Sequence, residues 1–480
     1  MSNSAGLTAP AAPFTPDGLA APRRYFALAA IWLGMTVAVL DGAIANVALP
    51  TIAHELRASA ASSVWVINAY QLALAATLLP MAALGDRLGY RRVFTWGLVV
   101  FVIGSLLCAI SQNLTELTMA RVLQGIGAGA TVSINSALIR FSVPAARLGR
   151  IIGYNATVVA VSSVAGPTVA AAILSVASWP WLFAINLPIG VLSVAIGAWA
   201  LPPTIGGKHK FDLLSAILNA AALGFLITGI DHLMRQGVSG LWMVGVGLAA
   251  GVVLLRRELR HPAPLVPVDL LREPIYALSI LTSIVSFITQ TIAFVGLPFY
   301  FQGAMGRTTV VTGLLMTAWP LAVGVSAPIA GRLSDRHSAG ILASIGLLVL
   351  AIGLGLLSRI NPGFSNADIA WRLVWCGLGF GFFQSPNLRA LVVSAPIHRS
   401  GAAGGMLATA RTLGQTAGAV VMAMFFHAGG ANAVGAALLT AAAMAVVAMA
   451  VSVSRLAVRP SQIHGRPDPQ DAVIEVEAAP

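Results

Sequence analysis

Two charged residues stand where charge is least expected. Asp41 lies deep in the apolar run that begins near Tyr25, and Arg121 lies inside another near 116–140. With a helix from Tyr25 to Leu49 rising about 1.5 Å per residue, Asp41 sits ~24 Å from one end and ~12 Å from the other. A carboxylate there cannot reach bulk water by extending its side chain. An Asp at mid-membrane costs roughly 2.5–3.5 kcal/mol, so it faces a water-filled cavity or a partner, and its default chemistry is handling a proton or ion on a transport path. The plainer alternative is a structural Asp that hydrogen-bonds a neighbouring helix. Arg121 faces a harsher constraint, because a guanidinium cannot neutralise itself by losing a proton. It enters ~8 Å from the end of its run, a depth that allows a link to Asp41, direct or through water.

Other constellations fail on context. Gly206 to His209, GGKH, lacks the spacing and the Ser or Thr of a nucleotide-binding loop, and Gly377-x-Gly379-x-Gly381 has no strand before it. No Ser-His-Asp or metal-ligand grouping stands out. The eight His fall mostly in loops, with His427 at the end of a run. Cys108 and Cys376 both sit in apolar runs and read as small packing residues rather than a disulfide framework or a metal site. No catalytic residues, metal or cofactor are expected, and the chain does not read as an enzyme.

The elements that position Asp41 and Arg121 follow from composition. Of 480 residues, 58% are hydrophobic and 9% charged, with a mean hydropathy of +0.86. That composition describes an all-α polytopic membrane protein. Fourteen apolar runs appear, near 25–49, 64–84, 93–112, 116–140, 150–175, 180–201, 211–230, 239–255, 275–299, 309–330, 339–358, 369–391, 404–427 and 431–454. The formal charge of +12 is dispersed between runs rather than gathered in one patch, so it reports topology and not nucleic-acid binding. With the N-terminus inside, twenty-one of the 28 Lys and Arg fall in inside loops and tails and five in outside loops, while Arg121 and Arg411 lie within runs. The positive-inside rule then places both termini in the cytoplasm. Arg23 and Arg24 abut a run long enough to span, so the first helix is expected to stay in the mature protein.

A repeat divides the chain. Leu84-Gly85-Asp86-Arg87-Leu88-Gly89 follows the second run, and Leu333-Ser334-Asp335-Arg336-His337-Ser338 follows the tenth. Such likeness between corresponding loops is what two repeated bundles leave behind. The expected organisation is a tail at 1–24, a six-helix bundle at 25–201, a linker at 202–274 carrying an inserted transmembrane hairpin, a second six-helix bundle at 275–455, and a tail at 456–480.

Four segments carry a family resemblance over roughly Tyr25 to Arg455. Leu40 to Pro50, LDGAIANVALP, resembles the first-helix motif of the 14-helix drug:proton antiporter subfamily of the major facilitator superfamily, with Asp41, Asn46 and Pro50 in place. Gly85 to Arg92, GDRLGYRR, resembles its cytoplasmic-loop motif, although Ala82 stands where Gly usually begins it. Leu117 to Ala130 is similar to its motif with an intramembrane Arg, here Arg121, followed by Gln124 and Gly125. Gly125 and Gly129 form a close-packing pair. In the fifth run Gly166-Pro167 is kept, but Ser162 and Ala170-Ala171 replace the glycines of the antiport motif, leaving small residues for a tight seam and a Pro bend. Ser178 to Gly190 resembles the start of the sixth helix, with Pro180 where Arg is common.

The resemblance implies two bundles rocking about a central site, and a proton-coupled exporter of amphipathic compounds, cations among them. Asp41 with Arg121 would couple protons. Asp86, Arg87 and Arg91, with Asp335 and Arg336, would latch one conformation, or serve only as topology anchors. Asn46, Gln124 and Arg411 are candidate cavity residues. Asp41 alone among the sixteen acids is well inside a run, whereas Arg411 lies ~10 Å from the inner end of its own. Transport of an organic anion or metabolite is therefore the second reading, and a sensor or scaffold that moves nothing is a distant third. The expected partners are a small-molecule substrate, protons and lipid, with no nucleic acid; the chain is expected to be a monomer in a bacterial inner membrane, with room for accessory exporter proteins.

Overall fold

The computed structural model describes residues 18–204, 212–259, 268–334, 336–394, 400–429 and 432–457. Long helices dominate it: α1 (Arg23–Glu55), α2 (Trp65–Leu88), α3 (Tyr90–Ile110), α4 (Leu114–Ser133), α5 (Ala145–Val176), α6 (Asn186–Ala200), α7 (Leu213–Gln236), α8 (Leu241–Glu258), α9 (Pro274–Phe299), α10 (Thr309–Leu333), α11 (Ala339–Leu357), α12 (Asn366–Val393), α13 (Ser400–Ala428) and α14 (Ala433–Ser454). Twelve helical segments among the described residues are long and apolar enough to cross a membrane. Helices α12 and α13 cover the twelfth and thirteenth apolar runs but are not among those twelve.

Local chemistry sets the ends. Asn113 caps α4 by accepting from the Glu116 amide, Thr308 caps α10, and Ser365 with Asp368 closes a capping box on α12. Gly89 joins α2 to α3 at φ 93°, a conformation open to Gly at low cost, with the Thr204 carbonyl packed against it. The first helix differs from expectation at its end: α1 does not stop at Leu49 but runs through Pro50 to Glu55. Proline removes one ladder donor there, and the helix continues on its remaining bonds.

Helices α1 to α6 pack together, with α2 and α3 against α4 and α1 against α5 and α6; α9 to α14 pack likewise, with α12 between α10 and α11. Helices α7 and α8 form a pair resting on α2 and α13. At the base of that pair Arg257 grips Asp212 with two bonds of 3.1 Å. Desolvation opposes ionisation of Asp212, but bonds from Ser215 and Arg257 outweigh it and hold the carboxyl below its usual range. Trp65 donates its indole N–H to Asp231 at 3.0 Å and Asn219 donates to the Ala76 carbonyl at 3.0 Å, fastening α7 to α2. The outer sides of α7 and α8 expose Leu214, Ile217, Trp242, Leu248 and Val252.

The apolar core is uneven along the helices. At the face where α1 ends, the far face, one cluster runs from Ile44, Val47, Ile52, Val64 and Phe183 across to Ile292, Val295, Phe301 and Met316. At the face where α1 begins, the near face, the core divides into one cluster around Ile31, Phe94 and Leu138 and another around Tyr276, Ile280 and Leu391. The two halves share one apolar core at the far face, whereas at the near face the core is divided between them. Gln302, just beyond α9, adds a bond between the halves at the far face by donating to the Val47 carbonyl at 3.2 Å.

Candidate functional site

Asp41 and Arg121 meet. Asp41 is 1% exposed and Arg121 fully buried, and Arg121 Nη1 donates directly to Asp41 Oδ2. An unpaired ion at this depth is costly, so the pair needs further bonds to offset desolvation. It has them. Arg121 Nε donates to the Val66 carbonyl at 2.9 Å, and Nη1 also donates to Gln124 Oε1 at 2.5 Å. Gln124 Nε2 donates to Asp41 Oδ1 at 2.9 Å and to Ser105 Oγ at 2.8 Å, while Asn186 Nδ2 donates to the same Asp41 oxygen at 2.8 Å. Four helices contribute to the cluster: α1 carries Asp41, α4 Arg121 and Gln124 and α6 Asn186, which bond its carboxylate, and α3 Ser105, which bonds Gln124.

Tyr70 on α2 covers this cluster. Its ring lies 4.1 Å from the Arg121 guanidinium carbon, and its hydroxyl donates to the Ala38 carbonyl at 2.9 Å. Phe183 stands 5.6 Å away on another side. The arrangement can hold a charge-neutral pair away from water. A proton added to Asp41 would cancel the pair and leave Arg121 with neutral partners only. Asn186, Tyr70 and Ser105 escaped sequence reasoning. Asn186 offered a signal, being a polar side chain within a quoted motif; Tyr70 and Ser105 carry no charge to flag them.

Other predicted residues fall as follows. Asn46 donates to the Gly42 carbonyl at 3.0 Å, and its Oδ1 is buried without a partner. A Cβ on Gly125 would lie 2.5 Å from the Tyr70 carbonyl and one on Gly129 2.2 Å from Thr77 Oγ1, so the pair forms the seam between α4 and α2. Gly166 packs on Ala43 at a virtual 2.3 Å, and the Pro167 carbonyl lies 2.5 Å from a Cβ built on Gly313, bringing α5 against both α1 and α10.

The loop residues are exposed. Asp86 accepts from the Tyr90 hydroxyl, Arg91 donates to the Ala198 carbonyl, and Arg87 and Arg336 face outward. Among the described residues no hydrogen bond or ion pair joins Asp86, Arg87 or Arg91 to α9 to α14; Asp335 lies outside those residues. Arg411 sits deeper than expected, about 16 Å along α13 from Ser400, because that helix begins earlier than its apolar run. Among the described residues there is no group of three or more His, Cys, Asp or Glu able to hold a metal.

A sequence model of the Major Facilitator Superfamily matches residues 31–419. The chain is 50% identical over 446 residues to the uncharacterized transporter YebQ of Escherichia coli strain K12, covering 92% of this chain and 97% of that one. It is 31% identical to the riboflavin transporter RibZ of Clostridioides difficile, with 84% and 88% covered. It is 30% identical to the multidrug resistance protein Stp of Mycobacterium tuberculosis strain CDC 1551, with 82% and 74% covered.

Proposed function

The chain belongs to the Major Facilitator Superfamily, a transporter and not an enzyme, and from that premise we propose that it exports amphipathic organic compounds in exchange for protons by alternating access. The observation that carries this reading is the enclosed Asp41–Arg121 pair, held by Gln124 and Asn186. One titratable acid, shut from water and held by side chains from α4 and α6, is suited to bind a proton in one state and release it in another. Protonation frees Arg121 from its counter-ion, which gives the helices a reason to rearrange. Likeness to a multidrug resistance protein favours export.

In this reading fourteen helices cross a bacterial inner membrane with both termini in the cytoplasm, as the excess of Lys and Arg in the inside loops favours. The near face, where the apolar core is divided, is then the cytoplasmic one. Asp86 and the Asp335–Arg336 loop would latch the opposite state, in which the near faces of the halves approach. The deciding measurement is proton movement in proteoliposomes on addition of substrate. Asp41→Asn abolishes it in this scheme; full proton flux in that variant would remove Asp41 from the mechanism.

A further inference from the structure

Arg411 is the unresolved charge of the transmembrane region. Arg121 has Asp41, and Arg455, also buried, donates to Ser279 Oγ at 2.9 Å and Asn387 Oδ1 at 2.7 Å. Arg411, partly exposed midway along α13, makes no hydrogen bond or ion pair with any described residue. The ring of Phe287 on α9 lies 5.7 Å from the guanidinium carbon, near the limit of a cation–π contact. A guanidinium that cannot discharge and has no counter-ion is stable at this depth only in a water-filled cleft.

Two more uncommitted side chains lie at its level. Gln415 lies one turn further along α13, partly exposed and without a hydrogen bond to any described residue; Gln71 on α2 is in the same condition. Their levels match. Helices α2 and α13 run antiparallel, and Leu79 touches the Cβ position of Gly405 at 3.6 Å. Equal steps along both helices bring Gln71 level with Leu413, between Arg411 and Gln415, within about 3 Å of each along the axis. Phe287 in turn packs edge-on against Phe380 at 5.5 Å, both rings buried in the apolar core.

We propose that Arg411, Gln415 and Gln71 form the binding site for an anionic group of the substrate. The substrate class is thus an amphipathic organic anion, such as an aromatic carboxylate, sulfonate or phenolate. Charge complementarity decides the sign. Asp41, the one acid well inside the first helix, is already committed to Arg121, so a cation entering the cleft meets an uncompensated like charge at Arg411. An anion instead supplies the counter-ion that Arg411 lacks, through a planar fork and two amide donors. The site also adjoins the proton centre in the chain, because Tyr70, stacked on Arg121, immediately precedes Gln71 on α2.

This inference rests on the transport reading above, and its test separates the two. Two dyes share a xanthene frame but differ in charge: fluorescein is anionic at neutral pH, rhodamine 123 cationic. Their binding to the full chain in detergent is measured by thermal stabilisation, and substrate-driven proton movement is followed in proteoliposomes. Fluorescein should stabilise the protein, and Arg411→Gln should weaken its binding about ten- to a hundredfold, with Arg411→Lys intermediate and rhodamine 123 not weakened. Should Arg411→Gln fold poorly, Gln415→Leu and Gln71→Leu serve instead, each costing fluorescein affinity alone. The proposal is overturned if neither dye binds, if rhodamine 123 binds at least as tightly as fluorescein, or if fluorescein affinity is unchanged in the folded variants. Loss of fluorescein binding in Arg411→Gln without any substrate-driven proton movement in the parent protein would retain the site and discard proton coupling. Proton movement driven by rhodamine 123 regardless of Arg411 would do the reverse.

Discussion

Tyr70 lies 4.1 Å over the Arg121 guanidinium while its hydroxyl is tied to the Ala38 carbonyl at 2.9 Å, so one side chain from α2 both stacks on the ion pair and bonds to the helix that carries Asp41. Ring and hydroxyl should separate by mutation. Tyr70→Phe keeps the stacked ring and loses about 1 kcal/mol of stability with transport largely retained. Tyr70→Ala uncovers Arg121 and should lower transport strongly. Melting temperature and substrate-driven proton flux, measured side by side, test the split; equal losses in both variants would assign the role to the hydroxyl.

The ion pair itself should behave as a unit. Asp41→Asn leaves Arg121 buried without a counter-ion, and Arg121→Gln leaves Asp41 in the same position, each at a cost of about 3–5 kcal/mol. The double variant removes both charges and should recover most of that loss while remaining uncoupled from protons. A double-mutant cycle on thermal stability measures this, and additive losses would show that the two charges do not depend on each other.

Helix seams should respond to added volume according to what lies opposite. Gly129→Ala forces a methyl to within 2.2 Å of Thr77 Oγ1, and Gly125→Ala to within 2.5 Å of a backbone oxygen. Overpacking of this kind costs about 1–3 kcal/mol. Gly224→Ala on α7 meets nothing within 4 Å and should be neutral or stabilising. Melting temperatures of the three variants are the check, and a Gly224→Ala loss matching the others would refute the packing argument.

Asp86 and Asp335 are predicted to govern the exchange between states. Asp86→Asn and Asp335→Asn should slow that exchange more than they weaken substrate binding, since Asp86 is exposed and bonded to Tyr90 rather than to the opposite half. Stopped-flow fluorescence of a reporter across the near face reads the rate. Unchanged rates with altered affinity would contradict a latch.

The α7–α8 pair is predicted to stay outside the transport path. Its outer faces are apolar and exposed, suited to lipid. Single cysteines along the middle of either helix should not be labelled by a water-soluble thiol reagent; labelling that substrate protects would make the pair part of the path.

Charge in an apolar setting is what made the site legible from sequence. Burying an ion costs so much that Asp41 and Arg121 each called for a partner or water, and their comparable depths allowed a link between them. Small residues four apart likewise marked close packing at Gly125 and Gly129, and the structure supplied α2 as the facing helix. Neutral polar residues cost far less to bury, and for that reason Asn186, Ser105 and Tyr70 passed unnoticed although all three touch the cluster or its neighbours. Sequence by itself determined that this chain is a bundle of membrane helices with one enclosed acid and two intramembrane guanidiniums. Only the tertiary structure decided that Arg121 is neutralised and Arg411 is not, because helical periodicity names a residue's own face but leaves the facing helix to packing between segments far apart in the chain.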